Sequence, residues 1–173
     1  MIKNSSILTF IAVLSLLVAN TALSQQMPNG SFETWLGGEP TDWNTSNYDL
    51  LGVTWNVVTK ETASPQQGTA SAKLSVVTKT IPFVGTITVQ GALTLGVITM
   101  DPIAQTATVT GGYPFTAMPQ MLTGYFKYQP VANDTCYLGW GLTKWNNGAR
   151  DTIGYVAIDT MGTFNSWTYF EIP

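Results

Sequence analysis

Short runs of alternating apolar and polar residues, punctuated by Gly, Pro, Asn and Asp, recur along almost the whole chain. Downstream of the N-terminus no stretch sets apolar residues at helical spacing behind a capping residue. This pattern constrains the fold most, because period-2 alternation buries one face of a strand, whereas a helix needs a period near 3.6. Strands are expected near Ser31–Trp35, Val53–Val58, Ala70–Val77, Thr86–Leu93 and Gln105–Thr110. Further strands are expected near Leu122–Tyr128, Cys136–Lys144, Thr152–Ile158 and Ser166–Ile172. Many short strands with regular turn signals predict an all-β fold of antiparallel strands: a sandwich, jelly roll or barrel.

Alternation also assigns faces. Ala72, Leu74 and Val76 share one side of their strand, expected to face inward, with Lys73 and Ser75 opposite. Cys136, Leu138, Trp140 and Leu142 share one side of theirs, with Tyr137, Gly139, Gly141 and Thr143 on the other. The two glycines would leave a shallow trough between Tyr137 and Thr143. Glycine inside a strand marks a bend, a bulge or a close approach by a backbone or ligand, and the bend is the plainest of these. Asn147-Gly148 suits the positive φ angles of a type I′ hairpin turn.

The first residues do not belong to that fold. Lys3, the apolar run Ile7–Val18 and the small residues around Ala22-Leu23-Ser24 have the layout of a secretory signal peptide over residues 1–24. The run is short for a membrane-spanning helix, an uncleaved anchor being the alternative. The mature chain is expected to be a single domain over 25–173, 149 residues, secreted or held at the cell surface or outer envelope, with no membrane insertion once the leader is gone. That length can bury a core without staples. The one cysteine, Cys136, cannot form an internal disulfide and reads as a buried small hydrophobe or as a liability in an exported protein.

Charge and composition then exclude function classes. Removal of Lys3 leaves six basic against ten acidic residues, and no basic run is present, which argues against nucleic acid and anionic membranes. Without His, neither a His-based triad nor a His zinc site can form, and no nucleophile elbow, Walker loop or dinucleotide fingerprint occurs. A glycoside hydrolase needs only two converging carboxyls, but Glu39, Asp42, Asp49, Glu61, Asp101 and Asp134 are scattered singly.

The remaining resource is aromatic: six Trp and 12% Phe, Trp and Tyr in all. Flat rings with a polar handle suit half-wet sites such as sugar-binding surfaces, although large aromatics also fill β cores. Trp35, Trp43, Trp140 and Trp167 are expected to serve mainly packing. Trp55, Tyr125, Tyr137 and Trp145 are the candidates for exposure and ligand contact, from strand phase or position beside a turn. Lys127 joins them, because it shares a strand face with Tyr125, whereas Phe115, Leu122 and Phe126 are expected to pack inward.

A set of motifs carries a family resemblance. Asn29-Gly30-Ser31-Phe32-Glu33-Thr34-Trp35, Pro40-Thr41-Asp42-Trp43 and Gly68-Thr69-Ala70-Ser71-Ala72-Lys73-Leu74 occur in order. They are followed by Gly112-Tyr113-Pro114-Phe115-Thr116-Ala117, Pro119 and Leu122-Thr123-Gly124-Tyr125-Phe126-Lys127-Tyr128. From about Met27 onward the chain resembles the carbohydrate-metabolism domain of exported Bacteroidetes proteins, a jelly-roll β-sandwich similar to carbohydrate-binding modules. The resemblance implies a non-catalytic module whose partner is a polysaccharide or other glycan. It also implies a structural calcium ion with Glu33 as one ligand. Such domains continue beyond the segment that ends at Pro173, so the final strands and the acidic partner of Glu33 are expected to be missing, by fragmentation or truncation. Strand edges would then be unpaired and solubility poor. Two other classes stay open: a structural or adhesive surface module that contacts protein, which predicts a large exposed apolar patch, and a glycoside hydrolase.

Overall fold

The computed structural model describes residues 26–101, 103–116, 119–132, 134–160 and 162–173. The expected signal peptide, its cleavage point at Gln25, and Ala117 of the quoted motif lie outside the described residues. Within them the fold is all-β: sixteen strands, every pairing antiparallel, and no helix.

The first part of the chain is a series of tight hairpins. β1 (Trp35–Leu36) pairs with β2 (Glu39–Pro40), and β4 (Tyr48–Leu50) with β5 (Val53–Trp55). β6 (Val58–Glu61) pairs with β7 (Ser71–Leu74), and β8 (Val76–Ile81) with β9 (Gly85–Gln90). The short β3 (Asn44–Thr45) reaches across to β10 (Leu93–Thr94). Backbone bonds at the strand junctions knit these units together: Ser46 N–H to Ala92 O (3.0 Å), Gly91 N–H to Ser75 O (2.8 Å) and Ser75 N–H to Val57 O (2.7 Å). The Ser46 hydroxyl adds a bond to Gln90 O at 2.7 Å and accepts one from Ala92 N–H at 2.7 Å, which explains a fully buried serine.

The core lies among these hairpins. Trp55, Val57, Val58, Ile81, Ile87 and Val89 are buried, with Trp35, Tyr48, Leu50, Val53, Val77, Leu93 and Met100 packed against them. Asn47 makes this possible. Its Oδ1 accepts both Val57 N–H and Val58 N–H at 2.8 Å, and its Nδ2 donates to Val58 O at 3.0 Å. The strand therefore breaks after Trp55, and two consecutive valines turn inward with their backbone satisfied.

The later part is built of longer ladders. β11 (Val97–Asp101) pairs with β12 (Thr106–Thr110), β13 (Leu122–Tyr128) with β16 (Phe164–Ile172), and β14 (Cys136–Asn146) with β15 (Ala149–Thr160). The β14–β15 turn is the expected Asn147-Gly148, with φ of 46° and 90°. Phe126 packs between Phe164 and Phe170, with ring centroids 5.0 and 6.1 Å away, so its inward assignment holds. Trp140 is half-buried and ties its ladder to β16 by donating Nε1–H to Ile172 O at 3.2 Å.

Several expectations are corrected. Ser31–Trp35 is not a strand: Asn29 closes a turn, its side chain donating to Thr34 O and Thr41 O at 2.9 Å, and pairing begins at Trp35. Leu74 and Val76 do not face the core and are about half exposed, because the backbone steps at Ser75 to meet Val57 and Gly91, which moves burial to Val77.

Candidate functional site

The five residues singled out for ligand contact fall into three places. Trp55 is not a surface residue at all. It is 0% exposed at the centre of the core, because the break at Asn56 puts the end of β5 beneath the neighbouring hairpins. Its Nε1–H is buried without a hydrogen-bond partner among the described residues.

Tyr125 and Lys127 project from one face of β13 and meet two residues of β16. The Tyr125 and Tyr169 rings lie 5.3 Å apart and tilted by 56°. Lys127 Nζ sits 4.9 Å from the centre of the Trp167 ring, a cation–π distance, and donates to Ser64 Oγ at 2.7 Å. Trp167 donates Nε1–H to Ser64 O at 3.2 Å. Tyr169 donates to Glu171 Oε1 at 2.9 Å, and that bond, ahead of partial desolvation, raises its phenol above the ordinary value. The polar groups here are largely spent on one another. Trp167, expected mainly to pack, is half-buried and belongs to this patch.

Tyr137 and Trp145 stand on one face of β14, and pairing brings Tyr155 and Arg150 of β15 to the same face. Gly141 pairs with Tyr155, Gly139 with Ala157, Tyr137 with Asp159 and Trp145 with Arg150. Tyr137, Tyr155 and Trp145 are 73%, 72% and 65% exposed. Between the rings lies a floor of Gly139, Gly141 and Ala157. Close approach requires glycine at 139, where a Cβ would lie 2.5 Å from Val156 O; at Gly141 a Cβ would lie 3.3 Å from the Tyr155 ring. Tyr155 thus leans over the floor. Arg150 sits 5.8 Å from the Trp145 ring centre and donates to Thr143 Oγ1 at 2.8 Å, which holds that end of the trough. Four residues of strand rise put Tyr137, the Tyr155–Gly141 level and Trp145 about 14 Å apart in succession.

Glu33, the residue that the resemblance assigns to calcium, is surrounded by hydrogen-bond donors. Its oxygens accept Thr69 N–H at 3.0 Å each, the Thr69 hydroxyl at 2.6 Å and Ala70 N–H at 3.2 Å. The hydroxyl bond first, then the two amides, lower its pKa. Hydrogen-bond donors turn their positive ends toward the carboxylate where a cation would need to sit. Among the described residues no group of three or more His, Cys, Asp or Glu converges. The arrangement fits a latch on the loop before β7.

Burial holds Cys136 half-covered and, with Asp134 nearby, raises its thiol pKa, so it is a poor nucleophile.

No protein-family model, curated protein or solved structure matched the chain.

Proposed function

We propose that the protein is a non-catalytic, exported glycan-binding module and that the exposed face of β14–β15 is its main binding surface. The observation that carries this reading is the glycine-floored trough with Tyr137, Tyr155 and Trp145 standing free along it. Rings at intervals along a flat strand face offer apolar platforms for successive sugar faces, while Thr143, Asp159 and the tyrosine hydroxyls offer polar contacts to their edges. A row of platforms suits a polymer better than a single sugar. The resemblance to carbohydrate-associated jelly rolls supports the same reading.

A protein-contact role is the second reading, favoured by the exposure of Ile153 on β15 and of Val97 and Val109 on the β11–β12 ladder. The two differ in where the aromatics lie. Rings clustered beside Arg150, Thr143 and Asp159 fit a sugar surface better than an apolar dock.

Affinity electrophoresis through gels containing soluble plant, microbial and host polysaccharides tests the proposal. Retardation by at least one neutral or weakly charged polysaccharide is expected. A folded protein that no glycan retards would overturn it.

A further inference from the structure

A second site lies away from that trough and shares no residue with it. A cleft of about 470 Å³, within the usual range for small-ligand sites, opens between the β1–β2 hairpin and β6. Its aromatic wall is Trp35, whose Nε1–H is committed to Phe32 O at 2.6 Å and whose body packs against the core. The ring is therefore held in one orientation, with its N–H already spent. Beside it, Gly37 and Gly38 take φ of 62° and 90°, the two positive values of a type I′ turn, and leave the rim bare of side chains.

The polar groups of the cleft divide into fixed and free. Glu39 is fixed: Oε2 accepts the Thr45 hydroxyl at 2.6 Å and Oε1 accepts Asn47 Nδ2–H at 2.8 Å. Each oxygen keeps acceptor capacity. Asn47 is fully committed to Glu39 and the backbone of Val57 and Val58, so it positions the carboxylate and takes no ligand itself. The side chains of Asn56 and Lys60 are exposed, line the cleft and make no hydrogen bond or ion pair with a described residue, although the Lys60 charge is close enough to act on Glu33.

One rigid ring, one pre-set carboxylate acceptor, one free amide and one free ammonium make a coherent set. The ring accepts the face of a pyranose. The carboxylate accepts its hydroxyl protons, and the ammonium is left to pair with an anionic substituent. From this geometry we infer that the cleft binds a single acidic sugar residue, a uronic acid, through Trp35, Glu39, Asn56 and Lys60. Lys60 selects the sugar carboxylate and Glu39 takes the hydroxyl edge.

The test is amide chemical-shift titration of the full chain with methyl β-D-glucuronide and, in parallel, methyl β-D-glucoside. Shifts are expected at residues 35–39 and 56–60, with the glucuronide the tighter ligand. Lys60→Met, a change at an exposed side chain that makes no hydrogen bond or ion pair with a described residue, should weaken the glucuronide by about tenfold and leave the glucoside unchanged, as loss of a charge-assisted bond requires. Trp35→Ala should abolish both, and Lys60→Met guards against the chance that this variant simply unfolds. Absence of shifts at those amides overturns the site, and equal loss of both sugars in Lys60→Met overturns the acidic specificity. Tyr155→Ala, which removes the trough, should leave the glucuronide titration untouched, so failure of either site is read separately.

Discussion

The part of the chain up to Asp101 and the part beyond it use the same antiparallel hairpin, but they bury it very differently. Short strands of two to six residues enclose Trp55, Val57, Val58, Ile81, Ile87 and Val89 in the first part. In the second, β14 and β15 run for eleven and twelve residues, yet among the described residues the one fully buried hydrophobic side chain is Ile172 of β16. Strand length therefore does not measure stability here. What decides it is whether backbone junctions such as Ser46–Ala92 and Ser75–Val57 bring several hairpins over one another. An isolated two-stranded ladder is marginal in water however long it is. The long β14–β15 ladder is instead free to display side chains, which is what a binding face needs.

This contrast can be broken at its strongest point first. Trp55→Ala should cost about 3–5 kcal/mol in denaturant unfolding. Tyr137→Ala, on the exposed ladder, should stay within about 0.5 kcal/mol. Comparable losses from the two would mean that the ladders share one core after all. Asn47→Ala comes next, at about 1–3 kcal/mol, because it leaves the amides of Val57 and Val58 without acceptors. Hydrogen exchange sharpens the same comparison: amides of Val57, Val58 and Val89 should exchange only through global unfolding, and those of 149–153 through local fraying.

The smallest effect concerns Glu33. The folded state holds its carboxyl proton less tightly than the unfolded chain does, because Thr69 and Ala70 donate to the ionised form. The latch thus contributes in full above the unfolded pKa and is lost as pH falls through the lower folded value. Glu33→Gln should lower the melting temperature slightly at neutral pH and flatten its decline on acidification. An unchanged acid profile would show that the carboxylate carries no such role.

The later ladders were legible in the sequence. Alternation in Leu122–Tyr128 gave that strand its bounds, and Asn147-Gly148 gave the turn that sets the β14–β15 register. Tyr137 and Tyr125 were placed on exposed faces by the same period of two, and Trp145 by its position beside that turn. Interruptions of that period hid the rest. Asn47 acts from ten residues away to turn Val57 and Val58 inward together, and Ser75 shifts the phase of β7 into β8, so Trp55, Leu74 and Val76 were each assigned the wrong side. Gly139 meets a close approach by the β15 backbone, which depends on where β15 lies, and the ladder steps in register just after Gly141. The cleft joins Trp35 to Lys60 through hairpin packing, and no local pattern marks it.

The most direct measurement of the central claim is affinity electrophoresis of the chain beside its Tyr137→Ala/Tyr155→Ala double variant, both checked for native hydrogen exchange at Val57 and Val89. A polysaccharide should retard the chain, and the double variant should run at its unretarded mobility with the core protection intact. Equal retardation of the two proteins would contradict it.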